Sequence, residues 1–270
     1  MQKRFGVILA GKVIGLLLVG AALMLFAYLF DARAGAAPAQ DAPVATDLIN
    51  PINTMWTLVA AFLVFFMQAG FMALEAGFAR SRESVNIMME CIFDTCLCGI
   101  LWSAFGFAFM FGVGNGLIGH SFFFLHHTTA DYNGTGIGFF AFVLFQFAFA
   151  DTASTITSGA MVGRTSFKGD ILYSFVVSGF IYPIFAHWVW GPGGWLNSGG
   201  WGIFHSIVPE GVVFRDFAGS TVVHTVGGVI ALAGAVCLGP RLGRRFARDG
   251  GGLSPLQKIE LAPGYQVPLA

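Results

Sequence analysis

Apolar residues in this chain come in long unbroken blocks separated by short polar, glycine-rich or proline-rich connections. Five blocks, 56–79, 91–112, 138–161, 171–190 and 217–238, each approach the ~20 residues that an α-helix needs to cross a bilayer. Ten-residue segments of alternating apolar and polar character are absent, so the pattern predicts an all-α polytopic transmembrane bundle and not a barrel. No internal period of ~20–50 residues appears, which argues against a repeat array. A sixth apolar run, Val13 to Phe30, follows the basic residues Lys3, Arg4 and Lys12 and precedes small residues at 32–36. That order reads as a signal peptide or a signal-anchor over residues 1–36, with Ala32-Arg33-Ala34 and Ala34-Gly35-Ala36 as candidate cleavage sites. Residues 37–53, rich in Ala and Pro, read as an extracytoplasmic linker, 54–240 as the five-helix domain, and 241–270 as a cytoplasmic loop.

Composition narrows the class. Only 10% of residues are charged and 56% are hydrophobic, against about 25% charged in soluble domains. Such a chain can neither coat a soluble surface nor remain disordered in water. The 37 glycines fit helices that approach closely in lipid. Basic and acidic residues balance at 14 each, so there is no electrostatic footprint for nucleic acid. Their placement is informative instead. Arg80 and Arg82 follow the first block, Arg164 and Lys168 the third, and Arg241, Arg244, Arg245 and Arg248 the fifth. Positive loops stay inside, so the mature N-terminus is expected outside and the C-terminal tail in the cytoplasm of a bacterial inner, or plasma, membrane.

Ionisable groups within the blocks are the chemical candidates, because each costs about 2.5–3.5 kcal/mol to place at mid-span. They are Glu75, Asp94, Asp151, Asp216 and His224. Asp216 opens the last block, where its carboxylate can cap the free N–H groups of a first turn and can also attract a cation. His224 lies eight residues further on, roughly 12 Å into a helix at about 1.5 Å per residue, and must face a pore or a partner helix. Phe145 and Phe149, four apart, share a helical face, and Trp190 ends the fourth block. On spacing alone these aromatics are either an interfacial belt or a cation–π site. Glu75 and Asp94 read as hydrogen-bonding groups between helices. Cys91, Cys96, Cys98 and Cys237 read as small core filler. The adjacent His126 and His127 point in different directions on the sequence reading and lack further ligands, so no metal is expected. Haem bound between helices would need paired mid-membrane histidines, which His187 and His224 do not supply.

The run DFAGSTVVHTVGGVIALAGAVCLGPR, from Asp216 to Arg241, strongly resembles the signature of the ammonium transporter family (Amt/Mep/Rh). Supporting stretches follow in the family's order: MQAGFMALEAGFARSRESVNIMME from Met67, FQFAFADTASTITSGAM from Phe145 and AHWVWGPGGWL from Ala186. The resemblance covers Asn53 to about Arg244. It implies a fold of two inverted five-helix halves plus a last helix, assembled as a homotrimer with one pore per subunit, with the substrate path between the halves. This chain resembles the first five-helix half, and its tail resembles the connection to a sixth helix. It is therefore expected to be part of a longer transporter and inactive alone.

Carried over by resemblance, Trp190 is the vestibule tryptophan that holds ammonium, Phe145 a vestibule aromatic and Phe149 one ring of a phenylalanine gate. Asp216 is the acid beneath the recruitment site, and His224 the first of a twin-histidine pair lining the pore. The implied activity is recruitment of ammonium, loss of its water shell, deprotonation and conduction of ammonia, with no enzymatic step and no cofactor. A cytoplasmic nitrogen-regulatory protein is the partner the family implies. Because such modules can be fused to kinase or cyclase domains, an ammonium-sensing membrane module is the alternative. Two departures stand out: Gly163 replaces the family's usual glutamate before Arg164, and Asp151 stands where a small residue is expected. Asp151 is two residues from Phe149, about 200° round the helix, so it should face away from the gate, buried and either bonded to Thr or Ser hydroxyls or kept neutral by an upward pKa shift.

Overall fold

The computed structural model describes residues 49–197, 214–239, 241, 248–249 and 252–253. The signal or signal-anchor reading of residues 1–36 lies outside the described residues, as does most of the tail. Among the described residues, five helices are long and apolar enough to cross a membrane. They are α1 (Ile49–Phe78), α2 (Ser84–Phe111), α3 (Phe139–Met161), α4 (Phe167–Trp190) and α5 (Ser220–Leu238). One antiparallel pair of two-residue strands, β1 (Arg248–Asp249) and β2 (Gly252–Leu253), follows.

The helices start earlier than hydropathy predicts, and local bonding explains why. α1 begins at Ile49, inside the segment read as linker; Pro51 fits because the first turn of a helix has no internal partner for its N–H groups. α2 starts at Ser84 rather than Cys91, since the polar residues of its first turns are satisfied locally: Asn86 Nδ2 donates to Glu90 Oε1, one turn on, at 2.5 Å. α4 starts at Phe167 because Ser166 caps it, its Oγ accepting from the Gly169 N–H at 3.4 Å. The last helix starts later than expected, at Ser220, for a reason given below.

The packing inverts the soluble-protein pattern. α1 turns Trp56, Phe62, Leu63 and Phe66 outward and buries Thr57, Ala61, Gln68, Glu75 and Ala76. In lipid, apolar side chains lose little by facing out, while small and polar groups gain by meeting other helices. α3 is the central helix, two thirds buried, and α1, α2 and α5 all pack on it. Gln68 of α1 donates to Thr155 Oγ1 of α3 at 2.7 Å and to Thr95 Oγ1 of α2 at 3.2 Å, tying the three helices together. Thr95 Oγ1 in turn donates to Asp151 Oδ2 at 3.2 Å, the hydroxyl partner expected for that acid. Glu75 accepts from Ser158 Oγ at 2.7 Å, again between helices. α5 crosses α3 at Gly227, where an added Cβ would lie 2.8 Å from Ile156 Cβ.

The connection between α2 and α3 folds over one end of the bundle. There Phe107, Phe111, Tyr132, Phe139 and Phe142 pack as one cluster, with the Tyr132 and Phe142 rings stacked at 4.2 Å. Tyr132 OH donates to the Phe111 carbonyl at 3.0 Å, and burial pushes its phenol above the usual range. His126 and His127 are exposed in this connection, but their rings do not diverge as expected. Their centroids are 4.4 Å apart, because His127 adopts a positive φ of 58°. Of the cysteines, Cys91 and Cys98 are buried, Cys96 is half-buried and Cys237 is exposed, so core filler does not describe Cys237 among the described residues.

Three π-helical segments interrupt the α spacing: Trp102–Gly106 in α2, Val177–Ile181 in α4 and Ser220–Thr225 at the head of α5. Each is a register change that sequence periodicity assumes away, and such segments are frequent at functional sites. The first two pack together, Gly179 admitting the Phe105 ring that a Cβ there would meet at 3.2 Å.

Candidate functional site

At the end of the bundle covered by the α2–α3 connection, the aromatic candidates come together. Phe145 and Phe149 meet edge to face with ring centroids 5.0 Å apart, and Phe149 meets Trp190 at 5.6 Å and 74°. Trp190 closes α4 and donates its Nε1–H to the Asp216 backbone carbonyl at 2.7 Å. That bond fixes the indole plane and ties α4 to the segment entering α5. Phe149 is buried, while Phe145 and Trp190 are half-buried.

Asp216 lies four residues before α5 begins, yet its side chain caps the helix. Oδ1 accepts from the Gly219 N–H at 2.8 Å, and Oδ2 from the Thr221 and Val222 N–H groups, both at 2.7 Å. Ser220 Oγ adds a longer contact to Oδ1 at 3.4 Å. Burial works to raise this carboxyl, but hydrogen bonds from Val222, Thr221 and Gly219 outweigh it and hold it below the usual carboxylate range. Asp216 is thus an ionised cap with its charge turned onto peptide N–H groups.

Gly219 makes the cap possible. Its φ of +94° lies in the left-handed region, and a Cβ there would meet Val223 Cγ2 at 2.7 Å and Trp190 Cη2 at 3.5 Å. Reversing the chain here delays the helix to Ser220 and starts it as a π turn, in which the His224 N–H bonds the Gly219 carbonyl at 2.9 Å. His224 is consequently four residues into the helix rather than eight, so the ~12 Å depth expected from Asp216 shortens to about half at an α-helical rise. Its imidazole is exposed, and among the described residues it makes no ring contact or hydrogen bond with the aromatic group. Phe145, Phe149, Trp190 and Asp216 therefore form one connected unit, while His224 joins it through backbone alone.

One residue that positions the site was weighed from the sequence only as a haem ligand. His187, a single turn before Trp190, is fully buried, with Nδ1 2.6 Å from the Met110 carbonyl and Nε2 2.8 Å from the Asn115 carbonyl. It pins the end of α4 to the end of α2 and the connection after it, which sets where Trp190 stands. Its spacing of three from Trp190 was the available signal. Among the described residues no group of three or more His, Cys, Asp or Glu side chains is arranged to hold a metal ion.

A bundle of five membrane-length helices with a polar seam buried on its central helix is that of a multi-pass membrane protein. The Ammonium Transporter Family matches residues 55–255, and the chain belongs to that family. It is 42% identical over 228 residues to ammonium transporter Amt2 of Archaeoglobus fulgidus, covering 84% of this chain and 47% of that protein. It is 39% identical over 196 residues to ammonium transporter 1 member 3 of Solanum lycopersicum, covering 72% of this chain and 40% of the relative. Among solved structures, a chain described as a sensor Amt protein superimposes with a TM-score of 0.68 at 34% identity, over 83% of this chain and 51% of the other. Candida albicans Mep2 superimposes with a TM-score of 0.59 at 26% identity, over 70% of this chain and 39% of the other. The chain spans about half the length of these relatives.

Proposed function

We propose that this chain forms the first five-helix half of an ammonium transporter, with the Phe145–Phe149–Trp190–Asp216 unit as the recruitment vestibule at the outer face. The observation that carries the reading is the ring pair Phe149–Trp190, held by the Trp190–Asp216 bond above a buried carboxylate. Ring faces attract a small cation with about 0.5–2 kcal/mol as water is removed. The carboxylate below supports that attraction without forming a tight ion pair, because peptide N–H groups already hold both of its oxygens. Ammonium is then recruited and stripped of water at the rings, loses a proton, and passes as ammonia through a hydrophobic pore whose wall includes His224. The exposure of His224 fits a pore wall completed by a second half. The basic residues Arg80, Arg82 and Arg164 support a cytoplasmic position for the opposite end of the bundle, where a nitrogen-regulatory protein would dock on the homotrimer.

Two measurements test this reading. In the full-length protein, His224→Ala is expected to abolish methylammonium uptake into proteoliposomes or change its selectivity; unchanged rate and selectivity would remove His224 from the pore. The 270-residue chain alone is expected to show no saturable ammonium flux, and such a flux would overturn the half-pore reading. A second reading, an ammonium-sensing membrane module, draws on the likeness to the sensor Amt chain. Ammonium-dependent output from a fused signalling domain, without net uptake, would favour it.

A further inference from the structure

The end of the bundle opposite the vestibule holds an arginine that the recruitment site leaves unused. Arg241, beyond the end of α5, reaches back to α3, where its Nη2 donates to the Gly159 carbonyl at 2.8 Å. There it lines a cavity of ≈ 240 Å³ between α1 and α3, together with Phe71, Phe78, Ile156, Val162 and Glu75. A smaller cavity of ≈ 20 Å³ shares Phe78, Val162 and Arg241 with it and adds Arg80, Arg82 and Glu83. The larger cavity continues the path from His224. Gly227, three residues after that histidine, crosses α3 at Ile156, the first α3 residue of the cavity lining. From Ile156 the wall descends one face of α3 at a spacing of three, through Gly159 to Val162, and so reaches the basic end.

Charge is spread unevenly along this path. Glu75 lies inside: its Oε2 accepts from Ser158 Oγ at 2.7 Å, and its Oε1 sits 3.4 Å from where a Cβ on Gly159 would be. Three arginines and one acid line the mouth, and that acid, Glu83, is paired with Arg82 at 3.2 Å. Gly163 keeps the mouth basic. It stands where the family usually carries glutamate, and a Cβ there would come within 3.9 Å of Arg241 Cδ. A carboxylate at that position would stand beside the arginine and offset its charge; glycine does not. Apolar walls strengthen the field, and a cleft lined by one sign of charge changes the local concentration of a small ion by about tenfold or more. An ammonium ion arriving from the basic end therefore meets repulsion before it meets Glu75, whereas neutral ammonia leaving the cavity meets none.

We propose that Arg241, with glycine and not an acid beside it at 163, is a specificity-determining residue of the inner mouth: its charge lets ammonia leave and keeps ammonium from re-entering. The proposal deepens the function above and rests on ammonia being the species conducted and on the basic end facing the cytoplasm. It makes the exit one-way for a solute that regains its proton outside.

Inhibition from the product side tests it. The full-length protein is reconstituted in proteoliposomes with its cytoplasmic side facing the lumen, and initial methylammonium uptake is measured against graded luminal ammonium at constant pH. In Arg241→Met the luminal ammonium that halves uptake should fall about tenfold, while in Arg241→Lys, which keeps the charge, it should stay near that of the parent. Gly163→Asp, an acid that tolerates a left-handed backbone, should lower it about threefold with Arg241 still in place. Both shifts should shrink as luminal salt is raised, which a purely structural role would not produce. A half-inhibition unmoved in Arg241→Met, or moved equally in Arg241→Lys, overturns the proposal. Should Arg241→Met fail to fold, Gly163→Asp decides, and an unmoved value there overturns it. These outcomes leave the function above intact, because uptake by the parent still saturates. A parent with no saturable uptake overturns both.

Discussion

Asp216 and Asp94 are both buried aspartates in one helix bundle, yet their surroundings are opposite. Asp216 lies just before a helix and receives three peptide N–H groups at 2.7–2.8 Å. Asp94 lies in the middle of one and receives none. The difference follows from where a helix has spare donors. The first turn carries N–H groups with no internal acceptor, so a carboxylate placed there is satisfied by the fold itself. In mid-helix every N–H is already bonded four residues back, so a carboxylate there depends on side chains or on a guest. Position along the element, more than burial, thus separates an acid satisfied by the backbone from one that depends on side chains of other helices.

The comparison breaks most visibly if the cap is removed. Asp216→Ala leaves three first-turn N–H groups without their acceptor and frees the segment that Trp190 holds, and should cost about 3 kcal/mol, a cap plus a buried unpaired donor. Thermal unfolding of the detergent-solubilised protein would report this as a lower midpoint, and Trp190 fluorescence should shift as the Nε1 bond loosens. Asp216→Asn keeps one acceptor oxygen and should recover about half of the loss. A midpoint unchanged in Asp216→Ala would mean that the cap contributes nothing to the fold.

The same contrast explains how much was legible beforehand. The five spans and the pairing of Phe145 with Phe149 could be read because block length and a spacing of four survive any detail of packing. Asp216 as a cap was foreseen, since an aspartate ahead of an apolar block has few other roles. The depth of His224 was not, because it assumed an α-helical rise from Asp216. One left-handed glycine, Gly219, delays the helix to Ser220 and opens it with a π turn. Nothing in residue spacing announces a register change of that kind. The particular partners of Asp94 were equally hidden. Which hydroxyls reach it depends on how α4 rotates against α2, and two further π segments help set that rotation. His187 was visible as a histidine but not as a clamp, because its acceptors are carbonyls 77 and 72 residues away.

Gly219→Ala offers a sharper and smaller perturbation. A methyl group at φ +94°, 2.7 Å from Val223 Cγ2, forces both a disfavoured backbone and a shift of Val223. The expected cost is about 1–2 kcal/mol, the range for strained left-handed positions occupied by side chains. Because Asp216 keeps its charge, the variant isolates the turn from the cap. Its melting midpoint should fall by less than that of Asp216→Ala. Since His224 hangs on the Gly219 carbonyl, uptake by the full-length protein should change even where the fold survives. A midpoint loss equal to that of Asp216→Ala would show that cap and turn act as one unit.

The smallest expected effect is in pH. The Asp216 carboxyl sits below its ordinary value of 3.8 in the folded chain. The unfolded state therefore takes up its proton at a higher pH than the folded state does. The stabilisation is fully present above about pH 5 and is lost only as pH falls through the depressed folded value. Between pH 5 and 8 the difference in midpoint between the parent and Asp216→Asn should stay constant, and it should narrow only below about pH 4. Any slope in that upper window that both proteins share belongs to other groups. A gap that closes between pH 8 and 5 would mean that Asp216 gains a proton there, and that its peptide donors do not hold it ionised.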